Sequence, residues 1–408
     1  MKRSIVFTVL VAAAIAATAA VRRPGKRQGF SGARYPGFTP ADFPPKLFEV
    51  ESSGGLTLRG KRYPNPGRTP VILFAGFAGN GFNYDIAFED SNFALLLARA
   101  GYDVWIANFR GTGREPYKSD GGSFDHYIQD LSACDLPAIV DAVTDCTGMK
   151  PFIFGHSMGG VVCYGYLQGA TYDNEGNTVA DPELSVRRNA AVRGVVSVAG
   201  PASFHFPRGN RFYWVAGSPV SRLLVRALAA AARRACSLLR RVPIEEGVAG
   251  LYRLPPGLAY ALSFPFFWFY FNPRNMTPEM LVESALSGTS DVSFRVLFQL
   301  LNGVVTREFL VSALRPDGSH GEVMHNLTRN MHLLTAPAYF IAAELDPVRP
   351  DILFRDGYSL VRSEIKGFRL VEGYGHVDLL QGQNIKEDVL PHILRFMEEV
   401  LASEGHAA

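Results

Sequence analysis

A chain of 408 residues, 47% hydrophobic and 19% charged, holds enough apolar material for one or two folded domains, and its 29 Phe, 40 Gly and 26 Pro exclude a disordered chain or a coiled coil. The formal charge of +3 is uneven: the first 41 residues contain Lys2, Arg3, Arg22, Arg23, Lys26, Arg27 and Arg34 and no acid. Removing those seven from the 41 Lys and Arg leaves 34 against 38 acidic residues, so the body is mildly negative and offers a nucleic acid no electrostatic footing.

The basic start belongs to a leader. Lys2-Arg3, an apolar run from Ile5 to Ala20 and the small residues Ala17-Thr18-Ala19 fit a signal peptide over 1–20. A retained N-terminal membrane anchor fits the same residues, and an Arg-rich, acid-free organelle-targeting segment is the alternative, so the expected location is secreted or exported. Residues 21–45 form a basic, Gly/Pro-rich tether.

Beyond it, short apolar or β-branched runs at 71–77, 104–109, 152–155, 192–199, 338–343 and 368–371 alternate with longer segments of helical period. Runs of that kind, buried on both faces, are the mark of a mostly parallel sheet flanked by helices, and they assign 46–201 and 331–405 to an α/β core. The rhythm stops over 202–330, which shows helical patterns and the aromatic run Phe-Pro-Phe-Phe-Trp-Phe-Tyr-Phe at 264–271. That stretch is expected to be a helical cap inserted between two late strands.

One strand, Phe152-Ile153-Phe154, runs straight into Gly155-His156-Ser157-Met158-Gly159-Gly160 and then a helical segment. This is G-x-S-x-G in its strand-to-helix setting, where a strained turn pushes the serine out above the sheet and glycines are needed because neighbouring chain comes too close for a Cβ. Serine is a weak nucleophile and needs a base, and the base needs a carboxylate to orient it. For this kind of turn the chain order is Ser, acid, His. Asp346 follows the strand at 338–343, with Glu344 and Asp351 as competing acids, and His376 follows the strand at 368–371 in a Gly-flanked loop. The glycine-rich loop Ala75-Gly76-Phe77-Ala78-Gly79 after the first core strand supplies a second oxyanion donor, so the backbone N–H groups of Phe77 and Met158 are the expected oxyanion hole.

With these residues placed, the chain resembles the α/β-hydrolase superfamily and is most similar to its acid lipase group, the gastric and lysosomal lipases. The resemblance rests on Gly101-Tyr102-Asp103-Val104-Trp105-Ile106-Ala107-Asn108-Phe109-Arg110-Gly111, on Ser123-Phe124-Asp125 leading to Tyr127, and on Asp135-Leu136-Pro137-Ala138-Ile139. It covers about residues 48–200 and 331–400 and implies the triad Ser157, Asp346 and His376. Two departures stand out: Ala75-Gly76 replaces the family's usual His-Gly, and Ala343 stands where the family often has Gly. The family's cap does not obviously match 202–330.

The insertion adds hints about substrate. Its aromatic run suits either an acyl pocket or the core of a cap packed on the sheet. Arg222, Arg226, Arg233, Arg234, Arg240 and Arg241, interleaved with Leu and Ala, suit a solvated helix face, or a contact with an anionic membrane surface. No cofactor and no metal are expected, because His320, His325 and His332 are spaced for no common metal motif. Cys134, Cys146, Cys163 and Cys236 are expected to be small buried residues rather than a disulfide framework: twelve residues of helix would hold Cys134 and Cys146 about 18 Å apart.

The function expected from these residues is hydrolysis of carboxylic esters with apolar acyl groups, a lipase or esterase whose partner is a small-molecule or lipid ester. An acyltransferase on the same fold, and a silent lipid-binding protein that keeps the pocket, are the alternatives.

Overall fold

In a computed structural model the chain is described over residues 39–204, 240–251, 270–311, 325–346 and 350–406, with positions 219, 223, 226, 227 and 253 between them. The leader, most of the tether, residues 264–269, Arg222, Arg233, Arg234, Cys236 and His320 lie outside the described residues.

Eight strands form one sheet: β1 (Lys46–Ser52), β2 (Leu56–Tyr63), β3 (Pro70–Phe74), β4 (Asp103–Ala107), β5 (Phe152–His156), β6 (Gly194–Val198), β7 (Ala338–Ala343) and β8 (Lys366–Val371). Their order across the sheet is β1-β2-β4-β3-β5-β6-β7-β8. From β4 to β8 all pairs are parallel, while the β1–β2 and β2–β4 pairs are antiparallel. The mostly parallel sheet expected from the buried apolar runs is therefore present, with an antiparallel edge at one side.

Residues of one strand alternate between two cores, because successive Cβ atoms point to opposite faces. Ile72 and Phe74 of β3, Ile153 of β5, and Phe340 and Ala342 of β7 face a core built with the helices α1 (Leu136–Thr147) and α2 (Met158–Leu167). Val71 and Leu73, Phe152 and Phe154, Ile341 and Ala343 face the other core, which Phe93 and Leu97 and the C-terminal helix α3 (Leu390–His406) close with Ile393, Phe396 and Met397. Each fully buried Phe or Leu contributes about 1.5–3 kcal/mol, so both faces hold the sheet rigid under the site. Two of the blocks behind the family resemblance meet here: Arg110 Nε lies 3.0 Å from both carboxylate oxygens of buried Asp135.

After β6 the chain leaves the sheet and returns only at β7. The described part of this excursion contains helices Ile244–Leu251, Pro278–Ser287 and Phe294–Thr306. It also contains two-residue strand pairings, Arg241–Val242 with Val292–Ser293 and Leu310–Val311 with His325–Asn326, which are too short to leave an alternation in the sequence. Among the described residues no helix is long and apolar enough to cross a membrane. One expectation fails: Cys163 is buried, but Cys134 is half-buried and Cys146 is exposed, because the helix that carries Cys146 turns only one face to the core.

Candidate active site

Strand β5 ends at His156, and the next residue turns sharply into α2. Ser157 has φ 54° and ψ −121°, a conformation L side chains avoid and that costs about 1–3 kcal/mol. The turn is held because its N–H donates to the Val198 carbonyl at 2.9 Å and its own carbonyl accepts from Gly160 N–H at 3.0 Å. The flanking glycines are steric necessities. A Cβ on Gly155 would lie 2.3 Å from the Gly159 carbonyl, and one on Gly159 would lie 2.6 Å from the Phe74 oxygen.

His376 and Asp346 meet on the adjoining strand ends. His376 Nδ1 lies 2.8 Å from Asp346 Oδ2, and both side chains are almost fully buried. Nδ1–H donates to the carboxylate, which leaves Nε2 with the lone pair a general base requires. The two loops brace one another: Glu344 N–H donates to Val371 O at 3.0 Å and Leu345 N–H to Tyr374 O at 2.9 Å. Glu344, a competing acid in the sequence, is exposed and its carboxylate accepts from Gly373 N–H at 2.9 Å. Asp351, the other competitor, opens the short helical turn Pro350–Ile352.

Ser157 and His376 are linked through His156, the last residue of β5. His156 Nε2 donates to the His376 carbonyl at 3.0 Å, and the two imidazole rings lie 4.7 Å apart. A carbonyl only accepts, so the Nδ1 of His156 is bare, and among the described residues it has no partner. Burial, reinforced by the charge of a protonated His376, pushes the His156 pKa down to about 3 and keeps this ring neutral.

Opposite the serine stands the loop after β3. A Cβ on Gly76 would lie 2.7 Å from Ser157 Cβ and 3.3 Å from its Oγ, so only glycine lets this loop approach the hydroxyl. Phe77 follows directly, and Met158 is the first residue of α2, where helix N–H groups lack intrahelical partners. The loop is fastened from the insertion. Ser290 N–H donates to Ala78 O at 2.8 Å, Gly79 bridges Thr289, and Asn80 Nδ2 reaches Ser287 O at 2.9 Å and Ser290 Oγ at 3.1 Å.

Several of these residues carry no catalytic signature. Asn80, Ser290 and Tyr270, whose ring lies 5.7 Å from that of His376, come from distant parts of the chain. His156 and Asp378 had an available signal, since each sits within two positions of a predicted site residue. Two of the histidines weighed as metal ligands serve locally: buried His325 pairs through Nε2 with Gln168 Oε1 at 2.8 Å, and exposed His332 lies with Nδ1 3.0 Å from the Arg329 carbonyl. Among the described residues no group of three or more His, Cys, Asp or Glu could hold a metal.

Several known proteins resemble this chain over part of its length. Residues 69–214 match the family model for the alpha/beta hydrolase fold. Mouse lipase member N is 28% identical over 178 residues, 40% of this chain and 42% of that protein. Human gastric triacylglycerol lipase is 32% identical over 131 residues, 29% of this chain and 33% of that protein. The chain thus matches less than half the length of these curated relatives. Among solved structures, DcsB in complex with its substrate analogue superposes with a TM-score of 0.55 at 17% identity, covering 88% of this chain and 99% of that one.

Proposed function

We propose that this chain, which has the α/β-hydrolase fold and resembles lipases over part of its length, cleaves carboxylic esters with apolar acyl groups through the triad Ser157, His376 and Asp346. The observation that carries the proposal is the buried 2.8 Å contact of His376 Nδ1 with Asp346, taken with a serine held at φ 54° at the C-terminal end of β5.

In this mechanism Ser157 Oγ attacks the ester carbonyl carbon while His376 Nε2 takes its proton. Asp346 holds the tautomer and steadies the imidazolium. The carbonyl electrons move to oxygen, which the N–H groups of Phe77 and Met158 receive; removing one such donor costs about 3 kcal/mol in the transition state. Collapse expels the alcohol, which leaves with the proton from His376, and an acyl group remains on Ser157. Water then attacks that ester, giving its proton to His376, and the carboxylic acid departs as Ser157 regains its hydrogen. The apolar leader after Lys2-Arg3 supports export or anchoring as the setting.

The test is a series of esters of increasing acyl length, assayed beside Ser157→Ala. Activity that rises with chain length and falls by several orders of magnitude in the variant supports ester hydrolysis at an acyl-binding site. Equal inertness of both proteins rejects it and turns attention to acyl transfer to an alcohol or thiol.

A further inference from the structure

Residues 270–275 of the insertion lie along the loop that carries His376. Val377 N–H donates to Tyr270 O at 3.1 Å, on the C-terminal side of His376. On the other side, Asn272 Nδ2 and Asn275 Nδ2 both donate to Gly373 O, at 2.6 and 2.9 Å. Asn275 is held in turn, its carbonyl accepting from Gln383 N–H at 2.8 Å.

The centre of this clasp is Asp378, which is fully buried. Its two oxygens each lie 3.0 Å from Gly375 N, and it also accepts from Asn275 Nδ2 at 2.7 Å and Asn272 N–H at 3.3 Å. All of these donors are neutral. A carboxylate buried without a cation is costly, and its burial pushes the Asp378 pKa up to about 6, so the arrangement persists only where surrounding contacts enforce it. Gly375 makes the approach possible: a Cβ there would lie 2.8 Å from Asp378 Oδ1 and 3.0 Å from Asn272 N.

We propose that Asp378 and Asn275 are positioning residues for His376, fastening residues 270–275 of the insertion to the histidine loop so that the imidazole is aligned only while that segment is docked. The inference rests on His376 being the general base. Binding that pulls residues 270–275 from the loop then lowers turnover without touching Ser157, and binding that seats them raises it.

Two variants test it in the full chain. Asn275→Ala removes the half-buried donor and leaves the carboxylate in place, while Asp378→Asn keeps the shape and puts an amide where the donors converge. Each is expected to lower kcat about 10–100-fold with KM within about twofold, the size expected when a reacting group is misplaced by about 1 Å. The low-field proton resonance of the His376–Asp346 hydrogen bond should shift or broaden in both variants. Full kcat with an unmoved resonance in Asn275→Ala overturns the proposal, as does a loss of kcat that only matches the unfolded fraction measured by circular dichroism. If wild type and His376→Ala are equally active, the reading of His376 as base fails instead, and the clasp is judged on the resonance alone.

Discussion

Ser157 and His376 both follow the C-terminal ends of parallel strands, β5 and β8, but are mounted by opposite means. The serine is held by backbone: a strained φ, the carbonyl of Val198 on the next strand, and glycines whose missing Cβ atoms would collide with main chain at 2.3–2.7 Å. The histidine is held by side chains drawn from Asp346, His156, Tyr270 and Asp378, residues far apart in the chain. A backbone mount forms with its own strand and helix. A side-chain mount forms only once the insertion and the last two strands have docked, which makes it the adjustable half of the site.

The largest effect that separates the two mounts is expected at Asp346. Asp346→Asn should keep the fold and the position of Ser157 but favour the wrong tautomer of His376, lowering kcat by about 10⁴. Thermal melting within a few degrees of wild type together with that loss supports the comparison. A variant that retains kcat within tenfold breaks it, because Glu344 or Asp351 would then be serving His376.

Gly76→Ala tests the serine side. The new methyl would lie 2.7 Å from Ser157 Cβ, so the loop that carries Phe77 must retreat from the hydroxyl. The expected loss is about 10²–10³ in kcat, the range for a lost oxyanion donor, with the rate of Ser157 labelling by a fluorophosphonate falling in parallel. Undiminished labelling would place the oxyanion donors elsewhere.

Ser290→Ala should act more gently, about tenfold in kcat. Its hydroxyl accepts from Asn80 Nδ2 and from Gly113 N–H at 3.1 Å each, and the latter donor would be left buried and unpaired, at about 1–3 kcal/mol of stability. Urea unfolding and kcat measured together decide the matter: lost stability with full kcat would show that the oxyanion loop needs no support from the insertion.

The contrast between mounts also explains what was legible in the sequence. The parallel strands β3 to β8 and the serine turn were visible because each depends on a local pattern, a short continuous apolar run or G-x-S-x-G between strand and helix; the antiparallel strands β1 and β2 and the order across the sheet were not. Asp346 and His376 could be placed because they follow recognisable strands, although nothing local distinguished Asp346 from Glu344; the structure separates them by burial and by the 2.8 Å contact. Asn80, Ser290 and Asn275 were invisible, since an Asn or Ser that anchors a loop about 100–200 residues away looks like any turn residue. The two-residue pairings in the insertion were hidden for the same reason, being products of tertiary contact rather than of an alternating run.

The smallest effect concerns acid, and it should fall on the side-chain mount. Burial pushes the pKa of His156 and His126 down to about 3 and that of His325 to about 4, from an ordinary value of 6.5. Between these limits the unfolded chain binds protons that the fold refuses, so the stability these rings contribute is complete above about pH 6.5 and is lost as pH falls toward 3. Asp378 opposes this, since its pKa raised to about 6 lets the fold keep a proton that the unfolded chain releases near 3.8. Each such proton is worth at most about 1.4 kcal/mol per pH unit, so the contribution of one ring is read against the same chain without it. His156→Gln keeps an N–H donor within reach of the His376 carbonyl but cannot titrate, so its urea midpoint should vary less between pH 7 and pH 4 than that of wild type. If the His156→Gln midpoint varies with pH as much as that of wild type, the imidazole at the junction of the two mounts accepts a proton in the fold.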